Sequence, residues 1–330
     1  MVVIPLRQGT SQLSFLLVQI PSIVFRFHPR TTMASTLAIG QSPQPEHTNS
    51  PDSVSEMIIS RAEAMNPLFR STMEDVSVVH APGTWDCANL SFLAVCDGHG
   101  GRDMVDFLEH GLSYHVAQEL RSTSCRTQAL ERAFLVADVH AKHLGIQTSG
   151  ATVACALVEV GFRLRYSPSR PSSDTSPSKQ HTPTQVAISV ANVGDSRIVL
   201  GSALGRCERL TQDHRMDDPE EVRRIEHAGG IIHRGRVMGI LAISRSLGDQ
   251  ILKPYVIGQP FVQEVRVDVH ESPFLIVACD GFWDVVSDQE AVEMLRASTC
   301  DREDAARFLV AEALHRGTTD NVSVIVAWLA

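Results

Sequence analysis

No acidic residue precedes Glu46 in this 330-residue chain, and its seven cysteines include no C-x-x-C pair. Each absence excludes something. An odd number of irregularly spaced cysteines gives neither a disulfide framework nor a structural zinc site, so a reducing compartment is the simpler reading. The apolar stretch from Leu13 to Phe27 is interrupted by Gln19 and Pro21, which makes it too short and broken for a membrane span. Basic charge is also scarce. A formal net charge of -9 argues against a grip on nucleic acid and leaves carboxylates available for cations. There is no G-x-S-x-G elbow, P-loop or D-x-D-x-[TV] motif, and Asp97-Gly98-His99-Gly100-Gly101 lacks the acidic spacing of an EF-hand.

Residues 1–53 differ in composition from the rest. Arg7, Arg26 and Arg30 are scattered among Ser, Thr and apolar residues. Such a leader suits an organelle transit peptide within residues 1–45, or a signal peptide. The alternative is a disordered or mis-called leader, with the true start at Met33. The sequon Asn321-Val322-Ser323 adjoins a candidate metal ligand, where a glycan would crowd the site, and a second sequon lies at Asn89-Leu90-Ser91. Secretion is therefore disfavoured, and a cytoplasmic or nuclear protein is expected unless the leader targets an organelle.

From residue 54 to 330 the pattern is continuous and reads as one domain. Runs of strand length, rich in Val and Ile, occur at Val76–Val79, Leu90–Cys96, Thr152–Val160, Gln185–Ala191, Phe274–Cys279 and Val322–Trp328. Helical spacing appears at Leu130, Phe134, Ala137, Ala141 and Leu144. Asp218-Pro219-Glu220-Glu221 opens a further helix, Ser287-x-x-Glu290 is a capping box, and Gly317 ends the last helix. Residues 167–184 are dense in Ser, Thr and Pro and lack apolar side chains, so they read as a loop insertion. An inert surface loop is preferred there to a regulatory phosphosite segment. The periodicity leaves α/β and α+β arrangements open.

The chemistry is carried by the points where carboxylates meet strands. Phe92-Leu93-Ala94-Val95-Cys96 runs into Asp97-Gly98, and Phe274 to Cys279 runs into Asp280-Gly281. Val190 to Gly194 ends at Asp195, and Asp320-Asn321 immediately precedes Val322. A buried carboxylate is costly unless it is paired or bound to metal. A single Asp-Gly is usually a turn, but two copies of apolar-run-Cys-Asp-Gly alongside the other two sites favour a site. Carboxylate and carbonyl oxygens suit Mg²⁺ or Mn²⁺. Gly98 and Gly281 would let a backbone carbonyl approach the cation. Such ions can ionise water near neutral pH, which allows hydrolysis without a covalent intermediate.

In order along the chain stand Arg70-Ser71-Thr72-Met73-Glu74-Asp75, Asp97-Gly98-His99-Gly100-Gly101, Ser149-Gly150-Ala151-Thr152 and Val193-Gly194-Asp195-Ser196-Arg197. Leu210-Thr211-x-Asp213-His214, Ala242-x-Ser244-Arg245-x-x-Gly248-Asp249, Cys279-Asp280-Gly281-x-Trp283-Asp284 and Thr319-Asp320-Asn321-x-Ser323 follow. This ordered set resembles the metal-dependent protein phosphatases of the type-2C serine/threonine class. The resemblance implies an α+β fold in which a central sandwich of two antiparallel sheets is flanked by helices on both outer faces.

It also implies hydrolysis of phosphoserine and phosphothreonine in proteins by a monomer holding two Mg²⁺ or Mn²⁺ ions. Asp97, Asp280 and Asp320 would hold one ion. Glu74, Asp97 and the Gly98 carbonyl would hold the other, and Asp195 with Asp280 would form part of a weaker third site. Arg70 would hold the phosphate, and His99 would be the general acid for the leaving alkoxide. Asp75, Asp284 and Asn321 read as supports or minor ligands, Asp213 and Asp249 as loop anchors, Trp283 as core, and Thr152 as a strand residue near the site. The other histidines carry no site signal.

Plant hormone co-receptors of this family carry a tryptophan before the Gly-Arg-Val stretch, whereas Ile231–Gly235 here has none, so that role is not supported. Two rival readings are a pseudophosphatase scaffold, which would be expected to have lost metal carboxylates, and a hydrolase of small phosphate esters. None of the carboxylates is missing, and the second rival stays open.

Overall fold

A computed structural model describes residues 2–6, 14–18, 57–87, 89–159 and 185–329. The chain divides into units of residues 1–51 and 52–330. In the first unit β1 (Val2–Leu6) pairs antiparallel with β2 (Ser14–Val18). The rest of the expected leader and the insertion at 167–184 lie outside the described residues.

The second unit contains two sheets. One has the order β13-β7-β6-β5-β4, formed by β4 (Asp75–His80), β5 (Leu90–His99), β6 (Gly150–Glu159), β7 (Gln185–Val193) and β13 (Phe261–Asp268). The short β12 (Leu247–Gly248) joins it beside β6. The other sheet has the order β3-β15-β14-β8-β9, formed by β3 (Ile58–Ala64), β8 (Arg197–Ser202), β9 (Cys207–Arg209), β14 (Pro273–Ala278) and β15 (Val322–Trp328). Every ladder in both sheets is antiparallel, which decides for α+β.

The strand runs look continuously apolar because both of their faces are covered. Leu93 and Val95 of β5 pack into the space between the sheets with Ile198, Leu275, Val277 and Ile325. Their neighbours Phe92, Ala94 and Cys96 point the other way, onto α1 (Asp103–Ser122) and α2 (Arg126–His143) through Leu108, Leu112 and Phe134. On the second sheet Phe274, Ile276 and Ala278 meet α4 (Asp280–Trp283), α5 (Asp288–Ala297) and α6 (Ala305–His315) through Phe282, Val292, Leu295 and Leu309. Period-2 alternation is thus present, but both of its phases are hydrophobic. The result is a helix–sheet–sheet–helix stack, as the resemblance implied.

Local signals mark the helix ends. Both bonds of the Ser287/Glu290 capping box form at α5, and Asp218 accepts from the Glu220 amide at α3 (Pro219–His227). Such caps contribute about 1 kcal/mol each. Beyond α3 a ribbon of β10 (Ile232–His233) and β11 (Arg236–Val237) packs on a small cluster of Ile225, Val237, Leu252 and Val256. Trp283 is core, as expected, and its indole N–H donates to the Ala278 carbonyl at 3.0 Å. Asp213 anchors its loop by accepting from Arg197 and Arg209, which also reach Asp288.

Candidate active site

The register of the two sheets assembles the site. Across β4 and β5 Asp75 stands opposite Asp97, and across β5 and β6 Asp97 stands opposite Thr152 and His99 opposite Gly150. In the other sheet β14 leads through Cys279 into Asp280, and Asp320-Asn321 leads into its neighbour β15. Asp280 lies within hydrogen-bonding reach of Asp97, so carboxylates from both sheets meet at one end of the sandwich.

These acids disfavour their own ionisation. Asp97 is held well above the usual carboxylate range, first by burial and then by the charges of Asp280, Asp75, Asp195 and Asp320. Burial, with Asp195, Asp284 and Asp320, pushes Asp280 up to about 7. Asp75 is pushed up to about 6, mainly by burial, and its Oδ2 is buried without a hydrogen-bond partner. Asp195 Oδ1 is likewise unpartnered. Among the described residues no three His, Cys, Asp or Glu side chains already close around one point as a metal cage. Crowded, incompletely paired carboxylate oxygens are nevertheless the donor set that a hard divalent cation satisfies.

Glu74 sits at the rim. Its carboxylate accepts from Thr72 Oγ1 at 3.0 Å and the Gly101 amide at 3.4 Å, and its carbonyl accepts from Gly98 N at 3.1 Å. Arg70 donates to the Asp320 carboxylate and, at 3.3 Å, to the Thr319 carbonyl. Asn321 was expected among supports or minor ligands, and it proves to be a clamp. Its amide donates to the carbonyls of Met65 (2.7 Å) and Thr72 (3.1 Å), and its Oδ1 accepts from Glu74 N (2.8 Å). This ties the Arg70–Glu74 loop to β15. Thr152 is buried and shares a 2.6 Å hydroxyl bond with Ser196.

The two site glycines serve close packing, a role the sequence reading did not give them. A Cβ on Gly98 would lie 2.5 Å from the Glu74 carbonyl oxygen and 2.7 Å from Val105 Cγ1. One on Gly281 would overlap the carbonyl oxygen of Asn321. Their missing side chains let the loops that carry the acids approach one another.

Two residues escaped the sequence reading. Arg215 donates to Asp195 at 2.7 Å and to Asp284 at 2.8 Å, with Asp280 at 3.8 Å, so a guanidinium already bridges the acids expected at a third ion. An Asp-His-Arg run on a loop gives no cue to this. Asp249, read as a loop anchor, accepts from His99 Nε2 at 2.7 Å. The Gly248-Asp249 pair within an ordered motif was the available signal.

Burial of the acid cluster has a pH signature. An unfolded Asp titrates near 3.8 and folded Asp280 near 7, so the metal-free native state holds a proton that the unfolded chain has lost. That stability is full below 3.8 and disappears as pH rises towards 7. His115 and His214 act oppositely. Burial lowers both from 6.5 to about 4, so their contribution is full above 6.5 and lost as pH falls towards 4. The histidine contribution is flat above 6.5, whereas Asp280, titrating near 7, still loses its proton between pH 6.5 and 8 and continues to destabilise. EDTA-treated protein is therefore expected to melt at lower temperature at pH 8 than at pH 6.5, with Mn²⁺ reversing the loss. Equal melting temperatures in EDTA would contradict a buried like-charge cluster.

Comparison with known proteins agrees with this geometry. Residues 61–322 match the family model described as Protein phosphatase 2C. The chain is 39% identical over 271 residues to Protein phosphatase 2C homolog 1 of Saccharomyces cerevisiae, covering 81% of this chain and 92% of that protein. It is 34% identical over 269 residues to Probable protein phosphatase 2C 59 of Arabidopsis thaliana, covering 80% of this chain and 77% of that one. Among solved structures, a phosphatase from Toxoplasma gondii superposes with TM-score 0.66 at 25% identity, covering 83% of this chain and 95% of that chain. A family model spanning most of the chain, and relatives matched over most of their own length, establish that this protein belongs to the protein phosphatase 2C family.

Proposed function

We propose that this protein phosphatase hydrolyses phosphoserine and phosphothreonine in proteins, using water and forming no covalent phosphoenzyme. Convergence of Asp97, Asp280 and Asp320 from two sheets carries this reading. Asp97, Asp280 and Asp320 would hold one Mg²⁺ or Mn²⁺, and Glu74, Asp97 and the Gly98 carbonyl a second. A weaker third ion at Asp195 and Asp280 would have to share these acids with Arg215. When bound, the cations supply Lewis acidity that ionises water near neutral pH and offsets phosphate charge.

The chain's own residues supply the rest. Arg70, on the rim beside Asp320, turns its planar fork to the substrate phosphate. His99, two residues beyond Asp97, protonates the departing serine or threonine oxygen. A panel of phosphopeptides, nucleotides and small phosphate esters, assayed with Mn²⁺ and with EDTA, tests the reading. Turnover of phosphopeptides that EDTA abolishes is expected. Preference for nucleotides or small esters, or indifference to EDTA, would overturn it.

Arg70→Ala is expected to raise KM for a phosphopeptide by about tenfold or more and to weaken inhibition by inorganic phosphate, with kcat less affected. Steady-state kinetics check this, and a collapsed kcat at unchanged KM would contradict the binding role. We further propose action in a reducing, non-secretory compartment. All seven cysteines are unpaired, and the Asn321 sequon side chain is buried with its amide fully engaged. No helix among the described residues is long and apolar enough to cross a membrane.

A further inference from the structure

We propose that Asp249 is the positioning residue for His99, fixing which ring nitrogen faces the substrate; this rests on His99 being the general acid. The carboxylate accepts from His99 Nε2 at 2.7 Å, with the two side chains 28% and 5% exposed. It is also held from behind, because Ser246 Oγ, fully buried, donates to the same Oδ2 at 2.5 Å.

Backbone geometry points the same way. Asp249 lies in the left-handed region (φ 48°, ψ 42°), directly after Gly248 at φ 81°. An L residue enters that region at a cost, and such strain persists where the surroundings enforce it. Here the enforcement comes from β12. Gly248 pairs with Gly150, the same residue that stands opposite His99 on the other side of β6. The His–Asp pair therefore spans β6 above Gly150. A Cβ there would overlap the Asp249 carboxylate and lie 2.5 Å from His99 Nε2. Glycine at 150 is what allows the two side chains to meet.

The chemical consequence follows from donor and acceptor roles. A carboxylate only accepts, so Nε2 carries a hydrogen and Nδ1 is the nitrogen left for the transferable proton. As the P–O bond to the serine or threonine oxygen breaks, that oxygen keeps the electron pair and takes the Nδ1 proton. The ring is left neutral, with its remaining proton on Nε2 against Asp249. Solvent then returns a proton to Nδ1, matching the one released by the attacking water. Without Asp249 the ring is no longer held with Nδ1 turned towards the leaving oxygen.

The test uses the full chain at saturating Mn²⁺, with a phosphothreonine peptide and p-nitrophenyl phosphate as substrates. The peptide's alkoxide needs a proton on leaving, whereas the aryl oxide needs little help. His99→Gln, Asp249→Asn and the double variant are compared with wild type, with circular dichroism as the check on folding. Asp249→Asn is expected to lower peptide kcat by about ten- to a hundredfold, a part of the hundred- to ten-thousandfold contribution of general-acid catalysis, and aryl phosphate kcat far less. The double variant should be no worse on peptide than His99→Gln alone.

Equal losses on both substrates for His99→Gln would remove the acid assignment and this proposal with it. A selective His99→Gln beside an unselective Asp249→Asn, or losses that multiply in the double variant, would leave the acid in place and overturn the role of Asp249. Ser246→Ala removes one bond to the carboxylate and keeps the charge. It should show the same substrate selectivity at smaller size, and no selectivity in that variant would also overturn the proposal.

Discussion

Asp97→Asn should lower phosphopeptide turnover by at least about a hundred- to a thousandfold, the scale on which removal of one group that stabilises transition-state charge is felt. Asp97 is the only side chain proposed to serve both cations, and it lies where carboxylates from the two sheets meet. The same substitution is expected to stabilise the protein in EDTA. Four other carboxylates oppose the ionisation of Asp97, and asparagine removes that conflict while keeping the shape. Activity measured at saturating Mn²⁺ and thermal unfolding measured in EDTA should therefore move in opposite directions. Near-normal turnover would remove Asp97 from the metal site, and a lower melting temperature in EDTA would mean that its carboxylate holds the fold together.

Gly281→Ala is expected to act through the backbone. The new methyl would overlap the carbonyl oxygen of Asn321 and press on Asp320 Cβ at 3.2 Å. Neither Asn321 nor Asp320 can yield as a flexible side-chain tip would, because Asn321 also clamps the loop that carries Glu74. Overpacking of this kind costs about 3 kcal/mol. The displacement would separate Asp280 from Asp320, so Mn²⁺ affinity should fall along with stability. Denaturant unfolding and a Mn²⁺ titration of activity measure the two effects. A variant matching wild type in both would show that the loops are free to move apart.

Much of this was legible in the sequence, for identifiable reasons. Val322–Trp328 and the Ser287 capping box are read directly, because a run of β-branched residues and a short-range hydrogen-bond motif are local facts. The edge strand Ile58–Ala64 carries Arg61 and Glu63, which bond to Ser77 of β4, and Phe261–Asp268 carries Glu264 and Arg266, so neither forms an apolar run. Their pairing with β15 and β7 is what makes them strands. Asp97, Asp195, Asp280 and Asp320 stood out because each borders a largely hydrophobic run, whereas Glu74 was marked only by the family resemblance. Asp249 and Arg215 did not stand out, since their partners His99 and Asp195 lie 150 and 20 residues away and only the folded chain brings them together.

The site straddles the seam of the sandwich, with Asp75 and Asp97 on one sheet and Asp280 and Asp320 beside strands of the other. Cation affinity is therefore a gauge of how the two halves are aligned. A substitution deep in the inter-sheet core, for instance at Leu93 or Val277, touches no ligand, yet it shifts one jaw of the grip relative to the other. Such lesions should appear first as a higher Mn²⁺ requirement, in a protein that is still folded, before they appear as unfolding.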